Sequence, residues 1–318
     1  MNKYRVLGRI GEGAHGYVMK GIDKVTGLEV ALKKLIIRNL DEGIPTNIMR
    51  EIASLRVLNS VYIVKLLDIV PHGMGFVLVM EYLPSSLYEI LHNCNKPLNE
   101  SQIKSYLKML LLGINYMHQN HIMHRDLKPA NLLIAHNGIL KIADFGLARI
   151  YLENEPNRKY SHQVATRWYR APELLYGSHN YTNSIDMWSY GCIMVELYNK
   201  TPLFPGETDI EQLAIVLHTL GTPTRENWPD LHSLPDYNKI TFSYSPGLDW
   251  KDIVPDATDC TLDLIKKCLQ YNHVTRMSAS KALNHEYFST NPLECCIDEM
   301  PKPESINQCM LPSFEDCV

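Results

Sequence analysis

The chain has 318 residues, 45% of them hydrophobic and 21% charged, with a formal net charge of −4. That length suggests about two domains, each able to bury its own core. Mild acidity argues against nucleic acid or an anionic membrane as the main partner, and no apolar run approaches the roughly 20 residues that span a bilayer.

In chain order, residues 4 to 35 alternate as strands do. Gly11-Glu12-Gly13-Ala14-His15-Gly16 places glycines at G-x-G-x-x-G spacing. A dinucleotide site needs a helix straight after such a loop. Lys20-Gly21 and Thr26-Gly27 interrupt any helix here, so strand–turn–strand is the better reading and a nucleotide-linked oxidoreductase is disfavoured. Glycines let backbone amides approach phosphate oxygens without side-chain clash. Ile10 and Val18 suit an apolar roof for a purine. Val30-Ala31-Leu32-Lys33 reads as a strand carrying one lysine. Next, Pro45 suits a first helical turn, and Ile48, Ile52 and Leu55 recur at helical spacing. Glu51 shares that apolar face. A buried, unpaired carboxylate costs several kcal/mol, so Glu51 needs a cation. Ile63 to Leu67 and Phe76 to Met80 read as further strands, and Glu81-Tyr82-Leu83-Pro84 breaks the pattern.

Asn99 caps a helix running to His118, with Gln102 completing a capping box and Leu98 able to staple to Ile103. Its predicted core face is Ile103, Leu107, Leu110, Ile114 and Met117. Leu132–Ile134 and Ile139–Ile142 are apolar runs joined through Asn137-Gly138, a strong hairpin signal. The hairpin carries Asp126, Lys128 and Asn131 close to Asp144. Two carboxylates, an amide and an ammonium in one place suit a hydroxyl nucleophile, a magnesium–polyphosphate complex and a moving phosphoryl group. Residues 147 to 170 form a long aperiodic loop, the kind that is usually functional. Residues 184 to 198 are apolar nearly all round, which predicts a buried helix; Asp186 near its start is an oddity there, or a plain N-cap. Glycine and proline punctuate residues 203 to 247. From Ser289 polar residues and prolines dominate, predicting a loose tail over 289 to 318. The eight cysteines form no C-x-x-C pair and fit no zinc spacing, which points to free thiols in a reducing compartment. The first residues carry no signal-peptide pattern.

His124-Arg125-Asp126-Leu127-Lys128-Pro129-Ala130-Asn131 and Asp144-Phe145-Gly146 resemble the catalytic and metal-binding loops of eukaryotic protein kinases. The resemblance covers about residues 4 to 288. It implies an α+β, bilobal fold: an antiparallel β lobe with one regulatory helix (residues 4–80), a hinge (81–84) and a larger helical lobe (85–288). ATP and Mg2+ are the implied cofactors. Asp126 would orient the substrate hydroxyl and take its proton, and Thr166 would belong to the same catalytic set. Asn131 and Asp144 would hold magnesium. Lys33, paired with Glu51, would fix the α- and β-phosphates, and Lys128 would stabilise the moving γ-phosphoryl group. Ile10, Gly11, Glu12, Gly13, Ala14, His15, Gly16, Tyr17, Val18, Ala31, Glu81, Leu83 and Leu133 would contact ATP, with Met80 limiting the pocket behind the adenine. Lys128 two places after Asp126 marks serine/threonine kinases.

Within that family the helical insert over 203 to 247 resembles the group of cyclin-dependent and mitogen-activated kinases. The absence of a Thr-x-Tyr pair in the activation loop favours the cyclin-dependent side. Ser161 stands where those kinases are phosphorylated, and Arg50, Arg125 and Arg149 match the arginines that receive the phosphate. Glu173 would pair with Arg276, and Asp186 would brace the catalytic loop. Arg170 would satisfy a backbone carbonyl so that proline fits after the target residue, implying Ser-Pro or Thr-Pro substrates. Other implied partners are an upstream activating kinase and a cyclin or cyclin-like activator, although Ile44-Pro45-Thr46-Asn47-Ile48-Met49-Arg50-Glu51 departs from the usual cyclin-contact sequence. Ala14-His15 replaces the usual Thr-Tyr, so the inhibitory phosphorylation brake should be missing. The resemblance also implies cytoplasm and nucleus, and a branch associated with cell cycle and cilia. A non-catalytic scaffold is the competing reading; Lys33, Asp126 and Asp144 are all present and argue against it.

Overall fold

The computed structural model describes residues 2–13, 16–37, 44–93, 97–151 and 159–303. The alternation near the start of the chain becomes one antiparallel sheet of β1 (Tyr4–Gly13), β2 (Gly16–Asp23), β3 (Glu29–Ile36), β4 (Leu66–Pro71) and β5 (Gly75–Glu81), in the order β1-β2-β3-β5-β4. Successive strand residues point to opposite faces. Val30 and Leu32 of β3 therefore pack with Tyr4, Met19, Val77 and Val79, while Leu35 packs with Ile37, Leu78 and Ile48 on the other side. Ile48 belongs to α1 (Thr46–Val57), the helix between β3 and β4. Lys33 shares the Leu35 face and is thereby carried toward α1. Pro45 precedes this helix as its cap residue and is not within its first turn.

The expected strand over Ile63 to Leu67 is displaced. β4 starts at Leu66, and Ile63 instead bridges to Ile142, with the Val64 amide donating to the Ile142 carbonyl at 2.9 Å. Ile63 and Val64 are buried in the C-terminal core, so that apolar run tethers the two lobes instead of extending the sheet.

The second lobe contains β6 (Ser85–Ser86), α2 (Leu87–Asn93), α3 (Glu100–Gln119), β7 (Ile122–Met123), β8 (Leu132–Ile134), β9 (Leu140–Ile142), β10 (Arg149–Ile150), α4 (Pro172–Leu175), α5 (Ser184–Asn199), α6 (Asp209–Leu220), α7 (Trp250–Ile253), α8 (Asp259–Cys268) and α9 (Ala279–Leu283). Asn99 caps α3 through a reciprocal pair with Gln102, and Ile103, Leu107, Leu110, Ile114 and Met117 are all buried. α5 is buried from Ser184 through Leu197, as its nearly all-round apolar character predicts. β8 and β9 pair antiparallel, Leu132 opposite Ile142 and Ile134 opposite Leu140. Gly138 closes their turn at φ 86°, a left-handed value that favours glycine.

The expectation of a loose chain from Ser289 is corrected for residues 289–303. Lys104 of α3 is fully buried and donates to the carbonyls of Thr290 (2.8 Å) and Pro292 (2.6 Å). Gln102 donates to the Glu299 carbonyl, Lys108 pairs with Glu294, and Met300 is buried. Polar composition concealed this because the segment docks through its backbone carbonyls. Residues 304–318 lie outside the described residues. Cys192, Cys260, Cys268, Cys295 and Cys296 are free thiols; Cys94, Cys309 and Cys317 are outside the description. Among the described residues no helix is long and apolar enough to cross a membrane.

Candidate active site

Burial of Glu51 at 3% exposure makes a cation obligatory, and Lys33 supplies it. Its Nζ lies 2.6 Å from Glu51 Oε1 and 2.8 Å from Asp144 Oδ1. Burial presses the Lys33 pKa down, but the charges of Glu51 and Asp144 outweigh it and raise the value. Burial likewise pushes Asp144 up, and the Lys33 charge and hydrogen bond bring it below the ordinary range. The pair is therefore held ionised. Asp144 sits at φ 61°, and the neighbouring Phe145 is fully buried, edge-on to His124 at 5.0 Å.

The loop before β8 converges on Asp126. Its Oδ1 accepts from the Thr166 amide (2.7 Å) and hydroxyl (2.9 Å). Its Oδ2 accepts from Asn131 Nδ2 (3.0 Å) and lies 3.1 Å from Lys128 Nζ. Lys128 also donates to the Thr166 hydroxyl at 2.7 Å. His124 Nε2 faces the Ala143 carbonyl at 2.9 Å, while its Nδ1 accepts from the Asp126 amide at 3.2 Å. Both ring nitrogens are thus engaged by the loop that carries Asp126 and by the backbone before Asp144.

Asp186 holds this loop from α5. Fully buried, it accepts from the backbone amides of His124 and Arg125 and from His118 Nε2, each at 2.9 Å. Burial raises its pKa, but the His118 hydrogen bond and charge, with His124 and the Arg125 amide, lower it overall. The N-cap alternative fails, because Asn183 occupies that position. Arg125 sits at φ 70°, a strain costing about 1–3 kcal/mol that surrounding contacts must offset.

Val18 lies directly across from Lys33, and Ala31 is two residues away on the same strand. Val18, Ala31 and Lys33 thus share one face, a lining suited to a nucleotide. Gly11 pairs with Val18 and Gly13 with Gly16. At Gly16, φ is 149° and an added Cβ would fall 1.8 Å from the Lys34 carbonyl oxygen, so only glycine fits. Ile10 is exposed on β1. Glu12 pairs with Arg9. The Tyr17 ring turns to the opposite face, beside Lys34 and Arg9. Ala14 and His15 lie outside the described residues. Met80 is opposite Ala31. The Glu81 carboxylate is held by Lys141 at 2.8 and 2.9 Å and by the Lys65 amide. Leu83 and Leu133 are half-buried against the C-terminal core.

Among the described residues, no three His, Cys, Asp or Glu side chains cluster as a metal site. Asn131 directs its amide nitrogen to Asp126, at both the carbonyl (2.8 Å) and the carboxylate (3.0 Å), leaving its oxygen available as a metal ligand. That oxygen and the Asp144 carboxylate are hard ligands of the kind magnesium takes beside phosphate oxygens and water. The residues fit the ion.

In the activation loop, Ser161 is exposed. Tyr181 donates to its carbonyl at 2.6 Å and accepts from Arg125 Nη1 at 2.8 Å. Arg149 lies over the Tyr160 ring. Burial and the cationic charges of Arg149 and Arg125 lower the Arg50 pKa, so the three arginines share a common field. Arg170 donates from Nε to the Val164 carbonyl (2.9 Å) and from Nη2 to the Ala165 carbonyl (3.0 Å). Glu173 and Arg276 form a buried two-point ion pair at 2.8 and 2.9 Å.

Residues 4–288 match the family model described as the protein kinase domain. The chain belongs to the protein kinase family. A Danio rerio protein named Cyclin-dependent kinase 20 is 55% identical over 305 residues, covering 96% of this chain and 88% of its own. The Homo sapiens protein of that name is 51% identical over 307 residues, with the same coverage. The crystal structure of the yeast RNA Pol II CTD kinase CTDK-1 complex superposes with a TM-score of 0.85 at 34% identity, covering 93% of this chain and 96% of that one. This kinase is thus an ATP-dependent serine/threonine protein kinase of the cyclin-dependent kinase family. The domain implies ATP and Mg2+ use in general terms.

Some of this kinase's site escapes sequence reading. His118 carries no motif. Tyr181 and Lys141 look like ordinary polar positions. Asp209 reads as a first-turn helix acid, yet it binds two arginines of the activation segment.

Proposed function

We propose that this kinase transfers the ATP γ-phosphoryl group to Ser-Pro and Thr-Pro sites. The observation that carries the reading is Arg170, whose guanidinium occupies the Val164 and Ala165 carbonyls, just before Thr166, the residue that binds Asp126. A substrate amide placed there finds no acceptor, and proline has no amide hydrogen to leave unpaired. Asp126 orients the substrate hydroxyl and takes its proton as the oxygen attacks. Thr166 holds that carboxylate in place. Lys128 lies beside both and balances charge on the moving phosphoryl group. Lys33, fixed by Glu51, holds the α- and β-phosphates, with the face of Val18 and Ala31 against the base and backbone groups of Glu81 and Leu83 bonding it. Asn131 and Asp144 would hold magnesium, which neutralises phosphate charge when bound.

Phosphorylation of Ser161 by an upstream kinase would engage Arg50, Arg125 and Arg149, adding about −1.5 to −2 charges and tying α1, the catalytic loop and the activation loop together. A cyclin or cyclin-like activator is the expected partner of this family, and exposed Met49 and Val57 leave apolar surface for it on α1. Cytoplasmic and nuclear location, with a cell-cycle or ciliary role, follows from the family branch and is tested by imaging the tagged protein through the cell cycle.

A matched pair of peptides, Ser-Pro and Ser-Ala, with radiolabelled ATP tests the central claim. We expect kcat/KM to favour Ser-Pro at least about tenfold, a difference of roughly 1.4 kcal/mol, and Asp126→Asn to abolish transfer. Equal rates for the two peptides would refute proline direction. For Ser161, the isolated Ser161→Ala protein should be less active than the phosphorylated wild type; full activity would remove the regulatory assignment.

A further inference from the structure

Asp209 is the first residue of α6, behind the cap Thr208. An acid there ordinarily serves the helix dipole. Here its carboxylate lies on two arginines of the segment that precedes α4. Oδ1 accepts from Arg167 Nε at 2.7 Å and from Arg170 Nη1 at 3.0 Å, and Oδ2 lies 3.0 Å from the same Arg170 nitrogen. The remaining edge of Arg170 reaches the Val164 and Ala165 carbonyls. A guanidinium is a rigid plane, so anchoring one edge aims the other.

We propose that Asp209 is a positioning residue for substrate specificity: by fixing Arg170 it keeps the Val164 and Ala165 carbonyls occupied and so enforces proline after the target residue. This deepens, and rests on, the proline-directed reading.

Two further features fit. Ala165 sits at φ 67°, a left-handed conformation costly for any residue with a Cβ. The Arg170 bond to its carbonyl helps hold it. The next residue, Thr166, binds Asp126 directly, so the shape of this short run passes from Asp209 to the reacting group. Second, Arg167 and Arg170 share one carboxylate. Burial and the Arg167 charge depress the Arg170 pKa, and Asp209 opposes both. Without Asp209 the two cations repel, and Arg170 is free to leave the carbonyls. Those carbonyls then accept a substrate amide, and non-proline residues become acceptable.

The Asp209 side chain is half exposed, at 51%. Exposed ion pairs contribute little to stability. Its loss should therefore alter specificity with little change in folding, which separates this role from a structural one.

The test compares kcat/KM for the Ser-Pro and Ser-Ala peptides in wild type, Asp209→Ala, the near-isosteric Asp209→Asn, Arg170→Lys and the Asp209→Ala/Arg170→Lys double variant, with melting temperature read for each. We expect Asp209→Ala and Asp209→Asn to lower the Ser-Pro/Ser-Ala ratio about fivefold or more, Arg170→Lys to lower it similarly, and the double variant to add nothing, because both act through one contact. A wild-type ratio near one overturns the proline-directed reading. A wild-type preference that both Asp209 variants keep in full overturns the Asp209 role alone. Additive losses in the double variant also overturn it, because Asp209 would then act without Arg170.

Discussion

Replacing Thr166 with valine removes one hydroxyl while nearly keeping the side chain's outline. That hydroxyl donates to Asp126 Oδ1 at 2.9 Å and accepts from Lys128 at 2.7 Å. The backbone amide of residue 166 still donates to Oδ1, so Asp126 stays in place but can swing about the bonds it retains. A hydrogen bond to an ionised group contributes about 1.5–3 kcal/mol. If that stabilisation is present in the transition state, its loss lowers kcat about 10- to 150-fold, at 1.36 kcal/mol per factor of ten. Lys33, Asn131 and Asp144 make no hydrogen bond to Thr166, whose side-chain partners are Asp126 and Lys128, so the KM for ATP should change by less than about threefold. Steady-state assays on the Ser-Pro peptide, varying each substrate in turn, separate the two parameters. Thr166→Ser keeps the hydroxyl and should recover most of kcat. A Thr166→Val enzyme with kcat within about twofold of wild type would refute the reasoning, because the hydroxyl would then be idle in the reaction.

Two other outcomes follow from buried polar groups. Asp186 has a pKa below the ordinary aspartate value of 3.8, so its contribution to stability is fully present above that value and is lost as pH falls through the lower folded one. The melting-temperature gap between wild type and Asp186→Asn should narrow only as pH falls below the ordinary aspartate value; a gap that closes above about pH 5 would contradict the assignment. Lys104→Met leaves the Thr290 and Pro292 carbonyls without their buried donor, at about 1–3 kcal/mol each. Limited proteolysis should then cut within residues 289–303 in the variant and not in wild type, and identical cleavage patterns would show that the lysine does not hold the segment.

Much of the catalytic machinery is legible in the chain because it is written at short range. Asp126, Lys128 and Asn131 stand within six positions, the Asn137-Gly138 turn folds Asp144 toward them, and the apolar stripe of α3 recurs at helical spacing. The demand that Glu51 find a cation also follows from its place on an apolar face. Periodicity and spacing do not give partner identity: the Asp186 brace and the place of Thr166 beside Asp126 are expected through the kinase resemblance alone, and the Asp209 contact is not expected. Asp186 meets its loop across about sixty positions, Thr166 meets Asp126 across forty, and Asp209 meets Arg170 across thirty-nine. Polar pairs of this kind leave no periodic trace, since a hydrogen bond depends only on which surfaces the fold brings together. The docking of residues 289–303 escapes notice for a related reason: a buried lysine that reads backbone carbonyls makes no demand on the side chains of the segment it holds. Local pattern thus specified the elements and the reactive residues, whereas packing of α5 and α6 against the loops decided how those residues are aimed.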